Sequence, residues 1–145
     1  MIPDFAPVTD LLTDAVYLRP LFLCTVHAGP PSPADDEIDC ALDLNRHIFK
    51  RPETTIMVWM KGNAFRGEGI FDGDLLIADS SLEPHPGQLV VALVKGQQAV
   101  KRLSRLGDNL YLTTDGGPSE LIEAEGNPGV QVLAVVTFTI HTFPD

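Results

Sequence analysis

Three carboxylates fall close together at Asp72, Asp74 and Asp79, a spacing that could hold a cation or pair two acids for proton transfer. The same stretch reads Phe71-Asp72-Gly73-Asp74, and an Asp-Gly step favours a tight turn because glycine accepts the positive φ such turns require. The turn accounts for these acids without any ligand. Lys101, Arg102 and Arg105 are the tightest cluster of cations. His27, His47, His85 and His141 are scattered, and Cys24 and Cys40 have no neighbours at metal-ligand spacing. No metal and no cofactor are therefore expected, and two cysteines are too few for a disulfide framework. Trp59 is expected to pack in the core rather than to bind a ligand.

Charge narrows the partners. Twenty acids oppose ten bases, a net charge of −10 that repels phosphate backbones, so direct nucleic-acid binding is not expected. No apolar run approaches the ~18 residues that a bilayer requires, so no membrane association is expected. Leu21 to Ala28 ends in a pattern that a signal peptidase could read. A secretory signal, however, needs a basic start and an apolar run of ~7–15 residues. Asp4, Asp10 and Asp14 precede this stretch and Arg19-Pro20 shortens it, so a cytoplasmic location is expected.

These side chains need elements to hold them. Residues 1–32 contain Pro3, Pro7, Pro20, Pro30 and Pro31 and show no sustained periodicity, which predicts an extended arm. Its apolar middle, Val16 to Val26, suggests that it packs on something. Ser32-Pro33 with Asp35 to Glu37 reads as a helix start, and a second start follows at Asp43, with Pro52 just past its stop. From Thr54 onward, short apolar runs alternate with glycine-bearing turns: Ile56 to Met60, Leu75 to Ala78, Leu89 to Val94, Ala99-Val100, Leu110 to Leu112 and Val130 to Phe143. The last is unusually apolar for an exposed edge strand. The expected fold is mostly β and antiparallel, with an extended N-terminal arm (1–32), one or two short helices, and a β domain over 33–145.

Five stretches, in order, resemble the UmuD branch of the LexA-like self-cleaving serine–lysine peptidases. They are Ala28-Gly29-Pro30-Pro31-Ser32-Pro33-Ala34-Asp35-Asp36, Leu42-Asp43-Leu44-Asn45, Gly69 to Asp79, Ala99-Val100-Lys101-Arg102, and Ala134-Val135-Val136-Thr137. The resemblance implies a LexA-like C-terminal peptidase β domain. It also implies a dyad in which a serine attacks a peptide bond of the protein's own arm and a buried neutral lysine takes its proton. Lys101 matches that lysine as general base. An exposed lysine titrates near ~10.4, and desolvation disfavours its ammonium, which is how such a lysine becomes a base near neutrality. The matching scissile bond is Ala28–Gly29. Pro30 departs from the aromatic residue usual there and restricts Gly29.

The nucleophile segment departs further. The family pattern is glycine-aspartate-serine-methionine, and this chain reads Gly62-Asn63-Ala64-Phe65. Ala64 has no hydroxyl and cannot form an acyl-enzyme; loss of the nucleophile costs on the order of 10⁶ in rate in serine proteases. Two origins stay open: a Ser→Ala substitution that traps the uncleaved form, and natural decay, which would also alter Lys61, Asn63 and Phe65.

By resemblance, the function is that of an SOS mutagenesis protein of the DNA-damage response. RecA filaments promote its cleavage, and the shortened homodimer serves a UmuC-like, error-prone Y-family DNA polymerase in translesion synthesis. The alternative is a catalytically dead pseudo-peptidase that acts as a binding or regulatory module. Repression of the LexA type is not expected, because no helix-turn-helix pattern precedes the arm.

Overall fold

Strands dominate because the apolar residues after Thr54 come in short, β-branched runs bounded by turn residues. The structure, a computed structural model, describes residues 18–22, 28–30, 38–115, 122–124 and 126–144. The chain divides into two compact units, residues 1–50 and 51–145.

In the first unit, β1 (Leu18–Phe22) pairs antiparallel with β2 (Ile38–Asp43), Pro20 standing opposite Ala41. A proline is tolerated here because a two-stranded ribbon has only edge strands. Helix α1 (Leu44–Ile48) begins where the sequence places it: the Asp43 carboxylate accepts from the Asn45 N–H at 3.0 Å. The helix start read at Ser32-Pro33 lies outside the described residues, and from Ile38 the chain is strand.

The second unit is one antiparallel sheet in the order β3-β4-β9-β5-β6-β7-β8. Its strands are β3 (Thr55–Trp59), β4 (Leu75–Asp79), β5 (Leu89–Val94), β6 (Gln97–Leu106), β7 (Asn109–Thr113), β8 (Ile122–Glu123) and β9 (Val130–Ile140). The mostly β expectation holds. One reading needs correction: the apolar last strand is not an edge. β9 ends at Ile140 and lies between β4 and β5, so hydrogen bonds on both sides and packing on both faces explain its composition.

Bulges shape this centre. Register shifts against β4 and β5 leave Thr137 and Leu133 of β9 without direct partners, and the Thr137 hydroxyl donates to the Ile77 carbonyl at 3.2 Å. A bulge breaks the two-residue alternation, so Ala134 and Val135 are both buried although adjacent. In β5, Val90 and Ala92 join Leu103, Leu112 and Val135 on one face, while Val91 packs with Ala78 and Ala134 on the other. A third cluster, Met60, Phe65, Ile70 and Leu76, lies beneath the loop between β3 and β4. Among the described residues, no helix is long and apolar enough to cross a membrane.

Candidate active site

The loop from Met60 to Asp74 is built by its own hydrogen bonds. Met60 N–H donates to the Asp74 carbonyl and Gly73 N–H to the Met60 carbonyl, both at 2.8 Å, so the loop's two ends are clamped together. Across this clamp, Gly62 N–H donates to the Asp72 carboxylate at 2.6 Å, and Asp72 N–H donates to the Asn63 side-chain oxygen at 3.0 Å. Gly62 (φ 97°) and Gly73 (φ 88°) occupy backbone conformations that favour glycine. The chain then enters a 3-10 turn, Arg66–Glu68, with Phe65 buried to 1% exposure as its apolar anchor. Ala64 is left exposed between a hydrogen-bonded Asn63 and a buried Phe65.

Strand β6 delivers the second component. Lys101 stands opposite Val90 in the ladder and is half-buried, and its Nζ donates to the Thr114 hydroxyl at 2.7 Å. Thr114 immediately follows β7, the hairpin partner of β6. Ala64 and Lys101 line one cavity of about 340 Å³, together with Trp59, Phe65, Val100 and Thr114. Ala28 and Gly29 belong to the other unit, where both are exposed and Gly29 has φ 145°.

The Peptidase S24-like family matches residues 20–137. This chain belongs to that family. It is 40% identical over 129 residues to Protein ImpA of Salmonella typhimurium, covering 88% of this chain and 87% of the relative. Protein MucA of Salmonella typhimurium is 31% identical over 130 residues, covering 89% and 88%. The LexA repressor of Actinobacillus succinogenes is 36% identical over 87 residues, which cover 60% of this chain and 41% of the repressor.

Within this S24-like domain, Asn63 and Phe65 keep structural tasks despite departing from the pattern read for the segment. Asn63 supplies an acceptor oxygen to the Asp72 N–H, and Phe65 fills an apolar pocket. Ala64, exposed between them, carries no such task among the described residues.

Thr114 was not legible as part of the site, because it lies 13 residues from Lys101. The hairpin register, which sets Arg102 opposite Thr113, is the signal that places it nearby.

Trp59 corrects an expectation. It is 57% exposed rather than packed in the core. On edge strand β3, Ile56 and Val58 point to the apolar clusters, and period-two alternation turns Met57 and Trp59 outward.

The carboxylates do more than form a turn. Asp74 is 1% exposed and accepts from Phe71 N–H at 2.9 Å, the Thr139 hydroxyl at 3.2 Å and, at 2.5 Å, faces His141 Nδ1. Burial pushes its carboxyl up, but hydrogen bonds from Phe71, His141 and Thr139 outweigh burial and hold it below the usual range. Among the described residues, no three His, Cys, Asp or Glu side chains are grouped as metal ligands.

Proposed function

We propose that this chain is a self-processing S24-like protein of DNA-damage mutagenesis whose nucleophile position holds alanine, so that it does not cut as it stands. The observation that carries this reading is the shared cavity: position 64 and Lys101 face one space, with Thr114 bonded to the lysine. In this reading Lys101 is the general base and residue 64 the site of attack once it bears a hydroxyl. The substrate is the exposed Ala28–Gly29 bond, whose small side chains let a nucleophile approach. The Ala64 N–H has no backbone acceptor among the described residues, which leaves it to stabilise an oxyanion. The cavity's apolar lining, Val58, Val91 and Val100, suits an extended segment with small aliphatic side chains.

The biological setting rests on the family resemblance. It comprises promotion of cleavage by a RecA filament, pairing into a homodimer, and service to a Y-family polymerase in lesion bypass. A second reading, a non-cleaving pseudo-peptidase that acts only through its surface, is favoured by Ala64 itself.

One experiment separates the two. Ala64→Ser is expected to regain slow self-cleavage at Ala28–Gly29, read by mass spectrometry as a 29–145 fragment. Lys101→Ala in that background should abolish the cut. A restored serine that stays intact with and without a RecA–single-strand filament supports the pseudo-peptidase. Cleavage that survives Lys101→Ala defeats the dyad.

A further inference from the structure

Lys101 and position 64 come from segments far apart in sequence, and one side chain reaches toward both. Arg102, the residue after Lys101, has only 20% of its side chain exposed. Its Nε and Nη2 grip the Asp115 carboxylate at 3.0 and 2.6 Å, in the two-point geometry a guanidinium favours. Asp115 is the residue after Thr114, the partner of Lys101 Nζ. The same Nη2 meets Glu68 at 2.5 Å in the 3-10 turn that follows Phe65. Nη1 donates to the Gly87 carbonyl at 2.8 Å, and the guanidinium carbon lies 6.0 Å from the Phe65 ring centroid, within cation–π range. One planar group thus touches the segment carrying the lysine's partner, the residue following position 64, and the turn behind it.

We propose that Arg102 is a positioning residue that fixes the loop bearing position 64 relative to Lys101 and Thr114. It touches neither the cavity's substrate space nor the reacting atoms, and acts through Phe65, Glu68 and Asp115. A lysine in its place would keep the charge but not the fork, because an ammonium is a point donor that cannot reach Asp115, Glu68 and the Gly87 carbonyl from one rigid plane. The side chain therefore works by shape as much as by charge, which separates this role from simple charge balance in an acidic protein.

This inference deepens the proposed function, yet it is testable without any cleavage. In the full chain as it stands, Arg102→Gln and Arg102→Lys are compared with the parent by acetylation with an N-hydroxysuccinimide ester. The acetylation rate of Lys101 is read against that of Lys95 in the same molecule. Hydrogen exchange is followed in parallel at 65–70 and 113–115. The expected result is a rise of at least threefold in the Lys101 to Lys95 ratio for both variants. Exchange should be faster at the two segments and unchanged in β5. In the Ala64→Ser background both variants should slow self-cleavage at least tenfold, with Arg102→Lys failing to restore it. Global unfolding of the variants would appear as faster exchange in β5, and the comparison is then made with the milder Glu68→Gln and Asp115→Asn. An unchanged ratio with unchanged exchange in folded variants overturns the proposal, as does full rescue by Arg102→Lys. If Ala64→Ser never cleaves, the catalytic reading fails by itself, and the labelling ratio still decides the role of Arg102.

Discussion

Asp79 shows how a buried acid becomes a structural fastener. It is 4% exposed and accepts from Ser81 N–H at 2.9 Å, the Ser81 and Thr54 hydroxyls at 2.7 Å each, and Arg51 Nε at 2.7 Å. Burial pushes its carboxyl up, but the bonds from Ser81, Thr54 and Arg51 prevail and hold it far below the ordinary carboxylate range. Asp74 is lowered in the same sense. A carboxyl depressed in the folded state contributes stability that is fully present above its unfolded value, about 3.9, and is lost as pH falls through the folded value. Urea midpoints should therefore hold steady from pH 7 to about 5 and drop below about 4. Asp79→Asn should lower stability at neutral pH and make the acid limb shallower, since it removes one of the depressed groups. An Asp79→Asn protein with the parent's acid limb would assign the acid sensitivity to other groups.

At the scale of elements, position in the sheet decides what a side chain is worth. Phe65 is sealed among Met60, Ile70 and Leu76, so Phe65→Ala should cost about 3–5 kcal/mol. Trp59, though larger, is 57% exposed, and Trp59→Gln should cost about 1 kcal/mol or less. Urea denaturation of the two variants checks the order, and equal losses would mean that Trp59 is covered in solution. Strand β1 belongs to a two-stranded ribbon, whereas β5 is paired on both sides by β6 and β9. Such ribbons are marginal alone. Amides of Leu18–Phe22 should exchange well before those of Leu89–Val94, and equal protection would show that the ribbon is locked to the rest of the fold.

At the scale of the whole molecule, the expectation against direct nucleic-acid binding rests on the net charge of −10, which repels phosphate backbones. Pairing of two copies is expected from the family resemblance and not from β9, which is hydrogen-bonded on both sides and offers no open edge. Light scattering over a dilution series should give about twice the 15.7 kDa chain mass. A monomer at micromolar concentration would remove the homodimer from the proposed function.

Local chemistry was sufficient for much of this. The cap at Asp43, the Asp-Gly turn at 72–73 and the apolar run of β5 are short-range features, and the chain follows each of them. The absence of a hydroxyl at position 64 is a matter of composition and needs no structure. Long-range pairing was another matter. Whether β9 is edge or centre depends on β4 and β5 flanking it, and no pattern within 130–140 encodes its neighbours. Trp59 is exposed because β3 ends the sheet, a property of strand order rather than of hydrophobicity. The meeting of position 64 with Lys101 and Thr114 in one cavity likewise joins the loop after β3 to the β6–β7 hairpin, elements set apart in sequence and brought together only by the sheet order. Periodicity reports which residues seek burial, and only the completed sheet determines what they are buried against.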